Sequence, residues 1–508
     1  MPFLDRLHHW AAQKPDSAAI EVDGERLTFR ELRDAVEARL AAGAAGRGRL
    51  TVLALPNATE FVVQFSAGVA ATSRCAVLDP NWPPAVRDAV DAQLRLLEGE
   101  LLGEHESTDD AADDSRSVPP AEQSDEPPAC ADGPGESVFL YGFTSGTTSV
   151  PKAFARDRAS WQVSFEASAD YFGLTADDRT LAPGPFSSSL TLYALCESLY
   201  TGSACVALSS FDVGAALTCL RDGAITRLVA VPSALTLIAE RALSTTASSV
   251  SGSELSSIVS AGSKLDQDTL ALLRRWAPRA TIFEYFGAAE LGFVSATVHH
   301  PDLGRSGQDV RSTGIVDDPS TAVGTPFPGV EVRIQSDDGA ALPTCERGSI
   351  AVRSRLVSNG YAWGDDGEAF QRDGEWCTVG DQGYLDTSGV LHFLGRRADM
   401  ISTGGHNVYP HEVEAVLVGV PGVHAVLATG LPDRRRGHRL VAAVLVNDDT
   451  DVTDAALLRE VCLAQLITPK RPRAYYAVTE MPLTGSGKPS RSVLARWILD
   501  GDPRVRAL

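Results

Sequence analysis

Between Leu50 and Tyr285 short apolar runs alternate with stretches whose apolar residues recur at helical spacing, and this alternation limits the fold more than any other feature. Leu50 to Leu55 stops at Pro56 ahead of a helical stretch over Glu60 to Ala71. Thr226 to Val231 stops at Pro232 ahead of a helix from Ser233 to Leu243, and Ser257 to Ser260 leads through Ala261 and Gly262 to one from Leu265 to Trp276. Thr281 to Tyr285 adds another strand. Upstream, Thr28 and Glu31 form a capping box for a helix over 29–42, and Arg156 to Tyr171 again shows helical spacing. Repeated strand and helix place strands parallel, with both sheet faces covered. Beyond Gly324 the pattern becomes short alternating strands, such as Val330 to Ile334 and Ser349 to Val352, with Asp-Gly and Ser-Gly turns at Asp338, Asp373 and Ser388. The expected fold is α/β: a large N-terminal domain (1–396) of parallel sheets covered by helices plus a small antiparallel barrel, hinged at Gly395-Arg396-Arg397 to a small α+β C-terminal domain (397–508).

The 508 residues include 45 basic and 66 acidic side chains, a net charge of −21 that argues against nucleic acid or an anionic membrane as partner. Twelve of those excess charges fall between Glu98 and Glu136, about a thirteenth of the chain. Residues 103–136 have few large apolar side chains and are expected to form an acidic, disordered, solvated loop. The eight cysteines are scattered without a Cys-x-x-Cys pair, so neither zinc nor a disulfide framework is signalled. No apolar run reaches about 18 residues, and Met-Pro-Phe-Leu-Asp-Arg does not open a signal peptide. A cytoplasmic, reduced protein is expected.

Phe139 to Lys152 reads Phe-Leu-Tyr-Gly-Phe-Thr-Ser-Gly-Thr-Thr-Ser-Val-Pro-Lys: a strand-like start, then a loop of hydroxyls ending at a cation. Gly146 lets backbone approach a ligand, amides and hydroxyls can donate to phosphate oxygens, and Lys152 adds positive charge. The same residue types also make an ordinary surface turn, and the sequence is not a Walker A loop.

Five separated blocks decide between those readings: Thr144 to Lys152; Tyr285 to Glu290; Thr378 to Asp381 with Tyr384; Gly395 to Pro410 with Glu412 and Glu414; and Ser486 to Lys488. In this order they resemble the adenylate-forming superfamily of acyl- and aryl-CoA synthetases, peptide-synthetase adenylation domains and luciferases. Gly-Gly-His-Asn-Val-Tyr-Pro leans toward its acyl-CoA ligase branch. The resemblance implies that Thr144, Ser145, Gly146, Thr147, Thr148 and Lys152 grip the ATP phosphates, with Thr147 serving catalysis. Gly262, Ser263 and Lys264 would pass along the adenine, with Tyr285, Phe286 and Gly287 beside it and Phe286 stacked on the base. Glu290 would hold Mg²⁺, Asp381 the ribose hydroxyls supported by Arg396, and Lys488 the α-phosphate and the acid. Phe186, Ser188, Tyr193, Ala289 and Leu291 would shape an acid pocket with few charges, which favours a neutral aromatic or aliphatic acid. Singly, Lys488 reads as a solvated lysine, Asp381 as a turn residue and Glu290 as the first-turn acid of a helix. His406 and His411 read as structural or solvent-facing.

Four positions depart from the family pattern: Ser149 in place of glycine, Ala289 in place of a hydroxyl residue, Ser188 where many ligases carry a histidine or aromatic gate, and Ala398 at the hinge. The adenylating half of the pattern is intact, and the departures bear on the acceptor. The function implied is ATP-dependent activation of a small acid as its AMP anhydride, with CoA as the leading acceptor. The alternatives are a carrier protein, or nitrite activation for diazotisation of an aromatic amine. A degenerate, non-catalytic nucleotide binder is disfavoured by the presence of Lys152, Glu290, Asp381, Arg396 and Lys488 together.

Overall fold

The computed structural model describes residues 3–43, 48–107, 130–144, 150–244, 252–301, 321–365, 367, 370–403, 406–445, 454–483 and 489–508. The chain divides into two compact units, one of Met1–Val310, Val323–Val332 and Val352–Cys377, the other of Arg311–Ala322, Arg333–Ala351 and Thr378–Leu508.

The first unit carries two sheets. In the nine-stranded sheet, Thr281–Ala288, Ser257–Ser260, Arg227–Ala230, Arg179–Ala182, Ala204–Ala207 and Ala18–Val22 run parallel in that order. Gly292–His299 and Glu25–Thr28 pair antiparallel at either end of that run. In the five-stranded sheet Leu50–Leu53, Arg74–Val77 and Val138–Thr144 are parallel, and Lys152–Asp157 and Gly360–Trp363 continue antiparallel. Helices pack on the sheets where the sequence spacing puts them: Phe29–Ala41 with its Thr28–Glu31 capping box complete, Thr59–Gly68, Pro232–Ser244 and Gln267–Trp276. Arg156 lies in a strand, the helix beyond it being Arg158–Phe172 capped by Asp157. The strand begun at Thr281 runs on to Ala288, so Tyr285, Phe286 and Gly287 are strand residues.

The expected acidic loop is shorter than its composition suggests. Residues 103–107 end the helix Pro84–Ser107, and 108–129 lie outside the described residues. Residues 130–136 are packed: the Ala71 amide donates to the Ala131 carbonyl at 3.0 Å, and Asp132 Oδ1 accepts from the Leu4 amide at 3.0 Å. Backbone partners, which composition does not reveal, order this end.

Beneath that end lies Arg158, fully buried. Its Nη2 donates to the carbonyls of Ser73 at 2.8 Å and Val69 at 3.1 Å, and its Nη1 to those of Ser137 at 3.0 Å and Val138 at 3.2 Å. Burial lowers its pKa to about 10, which leaves it charged at neutral pH. One guanidinium therefore ties two strand approaches to a helix end.

In the second unit Asp381–Leu385 and Leu391–Arg396 form an antiparallel hairpin, and Gly348 and Ser349 pair antiparallel with Gly383 and Gln382. A further sheet holds His406–Val408, Ile401–Thr403, Gly437–Leu445, Tyr475–Val478 and Val505–Ala507, with Ala425–Asp433 beside Gly437–Leu445. The boundary expected after Arg396 falls inside this unit, because the hairpin and the helix Pro410–Leu417 are joined directly. His411 Nδ1 lies 2.9 Å from the Leu394 carbonyl, Arg347 pairs with Glu412 at 3.2 Å, and the His411 ring stacks on Phe393. His411 is thus a structural histidine, and His406 is exposed.

Replacing Arg158 by methionine removes the guanidinium donors from four carbonyls, of which that of Ser137 keeps a further bond, from the residue 158 amide at 3.2 Å. Urea unfolding of Arg158→Met is expected to show a loss of at least about 3 kcal/mol; a midpoint equal to wild type would contradict this bonding role.

Candidate active site

In the first unit the end of Val138–Thr144, the start of Lys152–Asp157, the turn between Thr281–Ala288 and Gly292–His299, and the strand Gly360–Trp363 converge. Glu290 sits in that turn, not in a helix, and is buried. Gly287 allows the turn: a Cβ there would lie 2.3 Å from the Gly292 carbonyl oxygen. Tyr361 donates its phenol proton to Glu290 Oε1, and the Thr144 hydroxyl lies 3.3 Å from the Tyr361 oxygen. Lys152 is buried, its ammonium 5.8 Å from the centre of the Tyr361 ring.

The turn itself is held by Arg156, which the sequence reading passed over. Its Nη2 donates to the Ala289 carbonyl at 2.6 Å and its Nη1 to the Leu356 carbonyl, while the Ser358 amide donates to the Glu290 carbonyl at 2.7 Å. Burial pulls the Arg156 pKa down to about 10 and nearby Glu290 opposes that shift, so the guanidinium stays charged. The signal in the sequence was an arginine inside an apolar strand. Tyr361 was missed because it lies outside the five blocks.

One carboxylate with two hydroxyl oxygens beside it suits Mg²⁺, a hard cation that keeps several waters and shares ligands with substrate phosphates. Among the described residues no group of three or more His, Cys, Asp or Glu could hold a metal alone. The donor set therefore fits a Mg²⁺ that arrives with a nucleotide.

On the neighbouring strand ends, Gly262 takes φ +92° in the turn after Ser257–Ser260, and Ser263 is exposed. Buried Glu284 fixes this turn: its Oε1 accepts from the Leu265 amide at 2.8 Å and lies 3.9 Å from Lys264 Nζ. Tyr285 and Phe286 alternate across their strand. The Tyr285 ring packs edge-on to Phe293, 4.6 Å away, and lines an internal cavity.

The acid-pocket residues divide. Phe186 is fully buried and stacks on Phe61 in the core, apart from the residues that line the cavity beside Tyr193. Ser188 caps the helix Ser189–Thr201 by accepting from the Thr191 amide at 3.5 Å. Leu291 is buried, and Ala289 contributes its carbonyl to the Arg156 clamp. Tyr193 does face the cavity, its hydroxyl 2.7 Å from Ser164 Oγ and 3.0 Å from Ser168 Oγ. Glu197 and Arg227 line the same cavity as a fully enclosed ion pair, 2.7 Å apart. Each charge sits alone in an apolar segment, where sequence pattern counts it as an isolated exception.

In the second unit Asp381 and Arg396 are cross-strand partners, with Arg396 Nε 3.3 Å from the buried Asp381 carboxylate. Ala398 falls in the short turn Arg397–Asp399. Ser145, Gly146, Thr147, Thr148, Ser149 and Lys488 lie outside the described residues. The base of the Lys488 segment is described: Leu483 bridges Pro489, and the Ser490 amide donates to the Pro482 carbonyl at 2.7 Å.

The described ends of Val138–Thr144 and Lys152–Asp157, beside the buried Glu290 carboxylate and under a helix-covered parallel sheet, make a setting suited to a nucleotide's phosphates and a divalent cation. The chain belongs to the AMP-binding enzyme family, whose model matches residues 7–362, with the AMP-binding enzyme C-terminal domain at 412–488. It is an adenylate-forming enzyme, and acyl-CoA ligases are among the proteins it resembles. The uncharacterized acyl–CoA ligase YhfT of Bacillus subtilis is 29% identical over 502 residues, covering 96% of each chain. The amide bond synthetase McbA of Marinactinospora thermotolerans has a similar structure, with TM-score 0.76 and 25% identity over 97% of this chain and 99% of that one. O-succinylbenzoate coenzyme A synthetase of Bacillus subtilis, in complex with ATP and magnesium, shares the fold at TM-score 0.74 and 23% identity, covering 96% and 98%. No helix among the described residues is long and apolar enough to cross a membrane.

Removing the Tyr361 hydroxyl frees the Glu290 carboxylate to rotate. Tyr361→Phe is expected to raise the Mg²⁺ concentration for half-maximal pyrophosphate release by about 10- to 100-fold, with no comparable change in melting temperature; an unaltered Mg²⁺ titration would refute the link.

Proposed function

We propose that the protein activates a small acid by ATP-dependent adenylation and passes the acyl group to CoA. The observation that carries this is the buried Glu290 carboxylate, clamped through its turn by Arg156 and oriented by Tyr361 beside Thr144 and Lys152. An acid oxygen attacks the α-phosphorus of ATP, its bond to pyrophosphate breaks, and an acyl-AMP anhydride forms. Negative charge grows on phosphoryl oxygens, so the work falls to cations and donors already in place. Thr144 to Thr148 and Lys152 would hold the β- and γ-phosphates, and Glu290 would hold Mg²⁺, which neutralises charge on the phosphates. The turn Gly262 to Lys264 with Phe286 would take the adenine. Asp381, set by its hairpin and Arg396, would take the ribose. Lys488, on a segment pinched by Leu483 and Pro489, would supply positive charge to the α-phosphate and the acid oxygen. The second unit, of which residues 397–508 are the larger part, would act as the mobile body. Attack of the CoA thiolate on the acyl carbonyl then expels AMP.

A second acceptor class is favoured by one observation, the 25% identity to an amide bond synthetase over nearly the full chain. There an amine takes the place of the thiol, and the adenylating half is unchanged.

A panel of aliphatic and aromatic acids, with nitrite included, tests both readings by pyrophosphate release with CoA, with an aromatic amine, or with neither. Thioester formed only when CoA is present supports the first acceptor; adenylate with amide and no thioester supports the second. Lys488→Ala and Glu290→Gln should each lower the rate by about 10²- to 10³-fold. Unchanged pyrophosphate release in both variants would remove the adenylation assignment.

A further inference from the structure

The helix Ser189–Thr201 turns one stripe, Leu190, Tyr193, Ala194 and Glu197, toward the strands Arg227–Ala230 and Ser257–Ser260. Between them lies a small cavity of about 10 Å³, room for roughly one water-sized group. Aromatic rings of Phe172, Tyr285 and Phe293 enclose it, and Glu197 and Arg227 are its charged groups. Glu197 is about 1% and Arg227 about 3% exposed at the side chain.

This pair is close but incompletely bonded. Arg227 Nη1 lies 2.7 Å from Glu197 Oε2, yet the N–H does not point along that line, and Arg227 Nε, Nη1 and Glu197 Oε2 make no hydrogen bond. Glu197 Oε1 is satisfied by Ser168 Oγ at 2.5 Å. Enclosed ion pairs hold together only when their remaining donors and acceptors are matched. A group able both to donate to Glu197 and to accept from Arg227 would complete the set. A hydroxyl does both, and being neutral it suits a pair whose charges cancel.

The position indicates what carries that hydroxyl. Arg227 begins its strand, and Ala230 ends it beside Ser260, where the parallel strands Arg227–Ala230 and Ser257–Ser260 stop. Ligands of parallel sheets bind outside the carboxyl ends of strands. Three residues of strand put the Arg227 end roughly 10 Å below that edge, about one ring or a short chain away.

Resting on the adenylation reading, we propose that the cavity is a specificity subsite in which Arg227 and Glu197 bind the distal hydroxyl of the acid, so that the substrate is a hydroxy acid with a ring-sized or short-chain spacer. The test uses the matched pairs 4-hydroxybenzoate and benzoate, 4-hydroxycinnamate and cinnamate, and 6-hydroxyhexanoate and hexanoate. Each is measured by ATP-dependent pyrophosphate release and, separately, by the shift in melting temperature that the acid alone causes. In wild type, at least one hydroxylated acid should exceed its partner by about 100-fold in kcat/KM and give the larger shift. The double variant Glu197→Leu/Arg227→Met, which removes both charges together, should lose both preferences. Pyrophosphate release without any hydroxyl preference in wild type overturns the subsite, its residual space then holding water only, and leaves adenylation standing. A hydroxyl-dependent shift without pyrophosphate release does the reverse. Neither effect with any acid overturns both. Because wild type decides the outcome, a double variant that fails to fold does not rescue the proposal.

Discussion

The Arg156 guanidinium is the interaction on which the candidate site depends. It reaches from the strand Lys152–Asp157 to carbonyls at Ala289 and Leu356, two segments distant in sequence, and the Ser358 amide closes the arrangement on the Glu290 carbonyl. A carbonyl clamp fixes backbone, so the carboxylate that would meet a metal is placed before any ligand arrives. The phenol of Tyr361 then selects its orientation. Placement and orientation come from different strands of the same five-stranded sheet.

Three buried arginines in the first unit show how bonding state separates roles. Arg158 spends both terminal nitrogens on main-chain carbonyls and serves architecture. Arg156 does the same on behalf of a functional turn. Arg227 faces a carboxylate in poor alignment and a space beside it, which is the condition of a group kept for something that comes and goes. All three bear the cost of dehydrating a cation, so burial alone would not have told them apart.

Much of the architecture was legible because periodicity and turn chemistry are local. The capping box at Thr28 and Glu31, the strand Ser257–Ser260 and the helix ending at Trp276 fall where spacing puts them. Glu290, Asp381 and Arg396 became candidates only through resemblance to the family's motif blocks. What escaped depends on tertiary partners: Arg156 and Tyr361 acquire meaning only from carbonyls and a carboxylate brought up by other strands. Phe186 and Ser188 stood in a pocket by analogy, whereas packing on Phe61 and capping of a helix now account for them. Net charge per segment could not foresee a neutral pair assembled from Glu197 and Arg227, thirty residues apart. Likewise 130–136 looked solvated until the backbone partners of Ala131 and Asp132 were seen.

Ser188 has a wider reach than its size suggests. By capping Ser189–Thr201 it sets the first turn of the helix that carries Tyr193 and Glu197. Exchanging it for the histidine or aromatic gate of related ligases would remove a cap worth about 1 kcal/mol and loosen the helix at its start. The cap and the cavity-facing residues of that helix are therefore mechanically linked, and a lineage or an engineer altering one must retune the other. Changes at the start of this helix should be tolerated only together with changes farther along it.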